Sequence, residues 1–276
     1  MEFWKLHGVG NDFIAIDGRF DNIDANCYSE IAKKVCHRHF GIGADGLLVV
    51  KNSDCCDIEM VYYNSDGSRA NMCGNGLRCF CKYVYDRKII NSNEFTVYTL
   101  DGEKKIILDT KEDNILSIKV NMGKPNFNPK FIPVDIDKDK CIKESIKIED
   151  KTFEINSVLM GVPHTIVFVE ELSKADVYKY GPVLEKNKIF PKNTNVNFVK
   201  IEDEENISVY TWERGCGYTL GCGTGMTASV IISNLLNKVK NVVNVKSEGG
   251  IVKIDISDDV YMIGNAVKIC EGTVEV

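Results

Sequence analysis

Several things are missing from this 276-residue sequence, and each absence narrows what it can be. No stretch approaches the roughly 20 consecutive apolar residues of a membrane-spanning helix. The opening Met1-Glu2-Phe3-Trp4-Lys5 has neither the basic start nor the apolar run of a secretory leader. A cytoplasmic protein without membrane attachment is expected. There is no basic excess: the formal net charge is −6, which argues against a nucleic-acid surface and leaves a small zwitterionic ligand open. Eleven cysteines are present but no CxxC pair, so neither a zinc ribbon nor a thioredoxin-type motif is supported. No spacing suggests a metal site. In the cytosol these cysteines are thiols; the adjacent Cys55-Cys56 and the near pair Cys79 and Cys81 read as small core hydrophobes. No low-complexity linker divides the chain, and its length suits one large domain or two smaller ones.

What is present is a repeated turn. Met72-Cys73-Gly74-Asn75-Gly76 leads straight into a helical pattern in which Leu77, Phe80, Cys81 and Val84 recur at helical spacing. A little more than half the chain later, Gly221-Cys222-Gly223-Thr224-Gly225 leads into a second, strongly apolar helix through Val230, Ile231, Leu235 and Leu236. Around each lie many short strands: 3–7, 12–17, 47–50, 57–64, 95–99, 104–109 and 115–121 in the first half, then 153–160, 165–169, 195–200, 207–213 and three or four more after 242. Residues 28–39 read as a helix, with Ile31, Val35 and Phe40 on one side and Lys33, Lys34 and Arg38 outside. Gly161-Val162-Pro163-His164 reads as a turn. A short helix is expected around Tyr178, broken at Gly181-Pro182. Residues 125–150 are the least patterned, and the passage between the halves is placed near or just before them. A helix apolar on most of its surface is a buried one. The fold class is therefore α+β: two similar halves, each a curved mixed sheet wrapped around a central helix.

The chemistry follows from where the cysteines sit. A helix N-terminus carries unpaired N–H groups and about half a positive charge. A thiol placed there has its pKa lowered toward neutrality, and the amides of Gly74, Asn75 and Gly76, or of Gly223, Thr224 and Gly225, can hold a carboxylate. Two such turns facing one amino acid would put a sulfur on each side of its α-carbon, one as base and one as acid. Gly221-x-Gly223-x-Gly225 lacks the lysine of a P-loop and the spacing of a dinucleotide fingerprint. Asn11, Asn64 and Asn195, beside glycine turns or at strand ends, suit a polar ligand or close their turns. Glu213 and Arg214 suit ammonium and carboxylate groups or form a surface ion pair. His164 either relays protons or caps a turn.

Together, Lys5-Leu6-His7-Gly8-Val9-Gly10-Asn11-Asp12-Phe13, Gly41-Ile42-Gly43-Ala44-Asp45-Gly46, Asn64-Ser65-Asp66-Gly67-Ser68, Met72 to Gly76, Asn121-Met122-Gly123-Lys124-Pro125, Asn195-Val196-Asn197-Phe198, Trp212-Glu213-Arg214-Gly215 and Cys222 to Gly225 resemble the diaminopimelate epimerases over almost the whole chain. Asn75 after Cys73-Gly74 favours that family over the similar proline racemases, which place a histidine there. The resemblance implies two pseudo-symmetric domains, residues 1–119 with the last strand (about 266–276) returning to them, and residues 120–265. It implies epimerisation with no cofactor and no metal, with Cys73 and Cys222 as the acid/base pair. Gly74, Asn75, Gly223 and Thr224 would be the carboxylate cradle, and Asn11, Asn64, Asn195, Glu213 and Arg214 the substrate contacts. The partners it implies are a small zwitterionic amino acid and a second copy of the chain in a homodimer, serving lysine and peptidoglycan synthesis. Val162, Tyr218, Gly221 and Met226 depart from the family pattern, Val162 standing where an asparagine is usual. Those departures keep a two-cysteine racemase of histidine or lanthionine as the alternative, beside a non-catalytic anion-binding or thiol-redox protein.

Overall fold

The computed structural model describes residues 1–20, 23, 25–149 and 151–276; Asp150, the end of the weakly patterned segment, lies outside them. The chain forms two compact units, Met1–Asn121 with Ile263–Val276, and Met122–Met262.

In the first unit the order is β1 (Glu2–Gly8), β2 (Asn11–Asp17), α1 (Ala25–Cys36), β3 (Gly46–Lys51), β4 (Ile58–Asn64), β5 (Arg69–Ala70), α2 (Gly74–Asp86), β6 (Glu94–Thr99), β7 (Gly102–Lys111) and β8 (Asn114–Asn121). β1 and β2 form a hairpin whose two loop residues, Val9 and Gly10, both have positive φ, 47° and 82°. That is the backbone a two-residue turn needs to match strand twist, although valine rarely adopts it. β2 runs parallel to β3, β3 antiparallel to β4, β4 parallel to β6, and β6, β7 and β8 form a meander. The short β5 pairs with β4.

The second unit repeats the plan. After β9 (Glu144–Ile148) come β10 (Lys151–Met160), β11 (Val162–Phe168), α3 (Lys174–Glu185), β12 (Asn195–Ile201), β13 (Asn206–Glu213), β14 (Gly217–Thr219), α4 (Gly223–Leu235), β15 (Val242–Ser247) and β16 (Gly250–Asp255). β10 and β11 form the hairpin, β11 is parallel to β12, β12 antiparallel to β13, and β13 parallel to β15. The short β14 pairs with β13 as β5 does with β4. β17 (Tyr261–Gly264) carries the chain out of this unit, and β18 (Val267–Thr273) pairs antiparallel with β1. The architecture is the expected α+β, one mixed sheet and one Cys-Gly-led helix in each unit.

Each unit has two apolar layers. α1 covers one face of its sheet, packing Tyr28, Ile31, Ala32 and Val35 against Ile14, Ile16, Leu47 and Val49. α2 lies against β1, β2, β3 and β8 and buries residues on all its sides, among them Leu77, Phe80, Tyr83 and Val84. With both faces covered, β2 and β3 bury residue after residue instead of alternating. In the second unit α3 sets Val177, Tyr180 and Leu184 on Phe153, Val167 and Phe198, while α4 is buried from Met226 to Ser233. Two buried hydroxyls of α4 are satisfied within the helix, Thr227 Oγ1 donating to Gly223 O and Ser229 Oγ to Gly225 O, whereas the buried Ser233 Oγ has no hydrogen-bond partner among the described residues.

Four local expectations are corrected. Cys55 is exposed and Cys56 half-buried, in the loop before β4, so they are not core filler; Cys79 and Cys81 are fully buried. α1 ends at Cys36, and Phe40 lies beyond it, 91% exposed, because Gly41 N–H bonds back to His37 O and turns the chain away. The turn before β11 is tight, with Gly161 at φ 69°, so Pro163 and His164 belong to the strand. α3 does not break at Gly181-Pro182; it runs on to Glu185 with Pro182 inside.

Gly46 opens β3 where a Cβ would fall 2.5 Å from the Tyr62 ring and 2.7 Å from Tyr63 O. Gly46→Ala is expected to lose about 1–3 kcal/mol through overpacking against backbone, read as a lower urea midpoint with an unchanged slope.

Candidate active site

In the first unit the site is built on the start of α2. Cys73 is its N-cap, in extended conformation (φ −133°, ψ 121°), and its sulfur accepts from Gly76 N–H at 3.5 Å. Across the β1–β2 turn, Asn11 Oδ1 accepts from the Cys73 thiol at 3.4 Å. The two partners serve the two protonation states: the amide and the helix end favour the thiolate, the asparagine oxygen favours the thiol. Asn11 presents that oxygen because its Nδ2 is taken by Asp45 Oδ2 at 2.5 Å. Asp45 is in turn held by Arg38, at 2.7 Å, and Arg38 also clamps Asp12 at 2.8 Å. Burial pushes the Asp12 carboxyl up, yet hydrogen bonds from Arg38 and Lys5 win and hold it below the ordinary value. Asn64, at the end of β4, donates to Ser68 Oγ at 2.9 Å. Asn75 is 1% exposed and accepts from Arg78 through its Oδ1. Gly76 packs closely where it stands, since a Cβ would lie 3.2 Å from the Phe13 ring.

The second unit uses a different device at its cysteine. Cys222 caps α4 and is 8% exposed, but its side chain makes no cap hydrogen bond. Its sulfur lies 3.4 Å from Thr224 Oγ1, which lies 2.9 Å from His164 Nε2. The direction of this chain can be read from its far end. Asn197 Nδ2 sits 3.4 Å from Thr165 O, an acceptor only, and 3.2 Å from His164 Nδ1, while Thr211 Oγ1 donates to Asn197 Oδ1 at 3.0 Å. Nδ1 therefore accepts and Nε2 carries the proton. Nε2–H donates to Thr224, whose own hydroxyl proton can turn to a Cys222 thiolate. A Cβ on Gly225 would collide with Asn197 Oδ1, so the network and the helix start need this glycine.

Asn195, Glu213 and Arg214 cluster at the ends of β12 and β13. Asn195 donates to Pro163 O at 2.8 Å and accepts from Arg214 N–H at 2.9 Å. Glu213 accepts from Thr219 Oγ1 at 2.5 Å, and Arg214 donates to Lys192 O at 3.0 Å. Of the departures from the family pattern, Tyr218 donates to Glu248 at 2.5 Å, and burial followed by that bond pushes its phenol pKa upward. Val162 opens β11 half-buried, and Met226 is fully buried in α4. Among the described residues, no group of three or more His, Cys, Asp and Glu is placed to hold a metal ion.

Some supporting residues had no role in the sequence reading. Asp45 orients Asn11, Asn197 and Thr211 set the His164 ring, and buried Glu185 holds the Glu213–Gly217 loop by accepting from Trp212 Nε1 and Gly215 N–H. Arg78 alone carried a signal: a charged residue inside an apolar helical pattern.

A profile for the family described as diaminopimelate epimerase matches residues 3–128 and 156–269. The chain belongs to the diaminopimelate epimerase family. A diaminopimelate epimerase from Clostridium perfringens is 50% identical over 274 residues, covering 99% of each chain. Another, from Caldanaerobacter subterraneus subsp. tengcongensis, is 48% identical over 278 residues, covering 100% of each. Among solved structures, a probable proline racemase from Agrobacterium radiobacter has a TM-score of 0.74 at 12% identity, covering 100% of this chain and 93% of that one. A phenazine biosynthesis protein of the PhzF family from Bacillus anthracis reaches 0.71 at 16%, covering 100% and 99%. At those identities the likeness is one of fold.

His164 has no exposed surface, and burial, followed by the Arg214 charge, holds its pKa down to about 3 against an ordinary 6.5. The unfolded chain therefore binds one more proton between those values, and stability falls as pH drops through that window. Between pH 7 and 5 the loss attributable to this residue is expected to be roughly 2 kcal/mol. Urea unfolding at the two pH values, compared with His164→Gln, checks this: the variant should lack that component.

Proposed function

We propose that the chain interconverts LL- and meso-diaminopimelate through two thiols, Cys73 and Cys222, with no cofactor. The observation that carries this reading is that each unit N-caps its central buried helix with a cysteine followed by Gly-x-Gly. Isomerase activity accords with the family. The α-carboxylate is taken by the amides that follow the cysteines, Gly74 and Asn75 on one side and Gly223 and Thr224 on the other. One sulfur, as thiolate, removes the α-proton; the other, as thiol, gives a proton to the opposite face, and the C–H bond re-forms inverted. The sulfur that began charged ends protonated, so the reverse reaction starts with the roles exchanged.

The difficulty is the carbanion. The amides at the helix starts meet charge building on the carboxylate, and such preorganised donors act most strongly where water is excluded. The equipment of each thiol suits its double duty. Cys73 has a donor in Gly76 N–H and an acceptor in Asn11. Cys222 has the Thr224 hydroxyl, backed by a histidine that stays neutral. Asn11, Asn64, Asn195, Glu213 and Arg214 are assigned to the rest of the substrate's ammonium and carboxylate groups. On this reading the protein works in the cytoplasm as a homodimer and supplies lysine and peptidoglycan synthesis.

Cys73→Ala and Cys222→Ala are each expected to lower epimerisation by roughly 100- to 10,000-fold, followed by chiral chromatography and by deuterium uptake at the α-carbon in heavy water. Two variants that both retain inversion and exchange would refute the two-base mechanism. A chiral assay across diaminopimelate, lanthionine and histidine tests the substrate, with diaminopimelate expected to turn over fastest. Preference for another amino acid would trace to Val162, Tyr218 and their neighbours.

A further inference from the structure

Arg78 is fully buried and, among the described residues, is the largest side chain to be so. It sits in the second turn of α2, and its side chain bends back toward the helix start, as long helical side chains do. Nη2 donates to Asn75 Oδ1 at 2.9 Å, Nη1 reaches Gly74 O at 3.4 Å, and Nε reaches Asn265 O, in the returning C-terminal segment, at 3.4 Å. Gly8, at the end of β1, closes over the group: a Cβ there would lie 3.2 Å from Nη2. A guanidinium does not give up its proton in a protein, so a full positive charge is held beside the first turn of α2.

Resting on the reading of Cys73 as an acid/base thiol, we propose that Arg78 is a positioning residue for that half of the site, fixing the Asn75 amide and favouring anions at the start of α2. The first effect is geometric. With Oδ1 of Asn75 engaged by Arg78, the side-chain amide cannot flip, and the residue whose backbone N–H is proposed to meet the carboxylate is held in place. The second effect is electrostatic. A negative charge at Cys73 stabilises the buried guanidinium, and the coupling is mutual, so the guanidinium favours the Cys73 thiolate. Cys79 and Cys81, the other thiols coupled to it, are pushed up by full burial and stay protonated. Of the three, Cys73 is the one at a helix start and only partly buried. The guanidinium thus adds a charge, in a low-dielectric setting, to the partial charge of the helix end.

A merely structural Arg78, tying α2 to Asn265, would affect stability and leave the thiol alone. The deciding measurement is the iodoacetamide alkylation rate of Cys73 against pH, read at its own peptide by mass spectrometry. In the wild-type protein the midpoint should lie at least about one unit below the ~8.5 of a free thiol. Arg78→Met, similar in bulk and uncharged, should raise it by about one unit, a roughly tenfold loss of thiolate below both midpoints. Arg78→Lys should keep the midpoint but, lacking the fork that holds Asn75, raise KM about tenfold while kcat changes less. A wild-type midpoint near ~8.5 overturns the proposal, as does an Arg78→Met protein with native circular dichroism and an unmoved midpoint. If the methionine variant does not fold, Arg78→Lys decides, an unchanged KM overturning the positioning role. Cys73→Ser separates the two levels. If it turns over normally, the acid/base reading fails; if it is inactive while Arg78→Met leaves the midpoint unmoved, only the role of Arg78 fails.

Discussion

A helix that starts inside a sheet-wrapped core must find partners for N–H groups that its own ladder leaves open. Most proteins answer with an oxygen from Ser, Thr, Asp or Asn at the N-cap. Here both central helices have cysteine at that position, and the glycines that follow keep the first turn bare. Sulfur is a weaker acceptor than oxygen, which is why the proposed function gives these bare helix starts an anion to hold. Much of the surrounding structure serves to keep that condition in place: close-packed glycines, and a layer of buried polar side chains that fix one another behind the cysteines.

The two units reach the same end by different means. In the first, the sulfur meets a backbone N–H and an asparagine oxygen, and an ion-pair cluster of Arg38, Asp12 and Asp45 holds that asparagine. In the second, the sulfur meets a threonine hydroxyl at the end of a neutral chain through His164 to Asn197. One arrangement is charged and partly wet, the other uncharged and dry. On the proposed mechanism each thiol serves as base in one direction and acid in the other, which asks for comparable proton affinities from unlike surroundings.

The sequence was most legible where one residue type decides the local outcome. Cys-Gly-x-Gly before an apolar run marked both helix starts, because glycine and periodicity are local signals. The plan of a sheet wrapped about a central helix was legible too, from the density of short strands and one apolar helix per half, whereas the second layer, with α1 and α3 on the other sheet face, was not. What escaped depended on contacts between distant positions. Nothing near Cys55 and Cys56 says that their loop is exposed, nor does Phe40 show that Gly41 turns it outward. The proline in α3 was a misleading local cue, since tertiary packing carries the helix through it. His164 was misplaced into a turn because Gly161 alone makes the reversal. Its ring orientation was beyond reach, being set by Asn197 and Thr211 from two other strands.

The returning strand β18 has a consequence for how the molecule comes to exist. The first residue of the chain donates its terminal ammonium to Val274 O, β1 pairs with β18, and Asn265 O receives Arg78. These partners are separated along the chain by the whole of the second unit. Until that segment arrives, the first unit lacks the strand that pairs with β1 and the carbonyl that receives Arg78 Nε. The second unit is thus an insertion within the first, and the Cys73 half is completed only by residues that follow the whole Cys222 half along the chain.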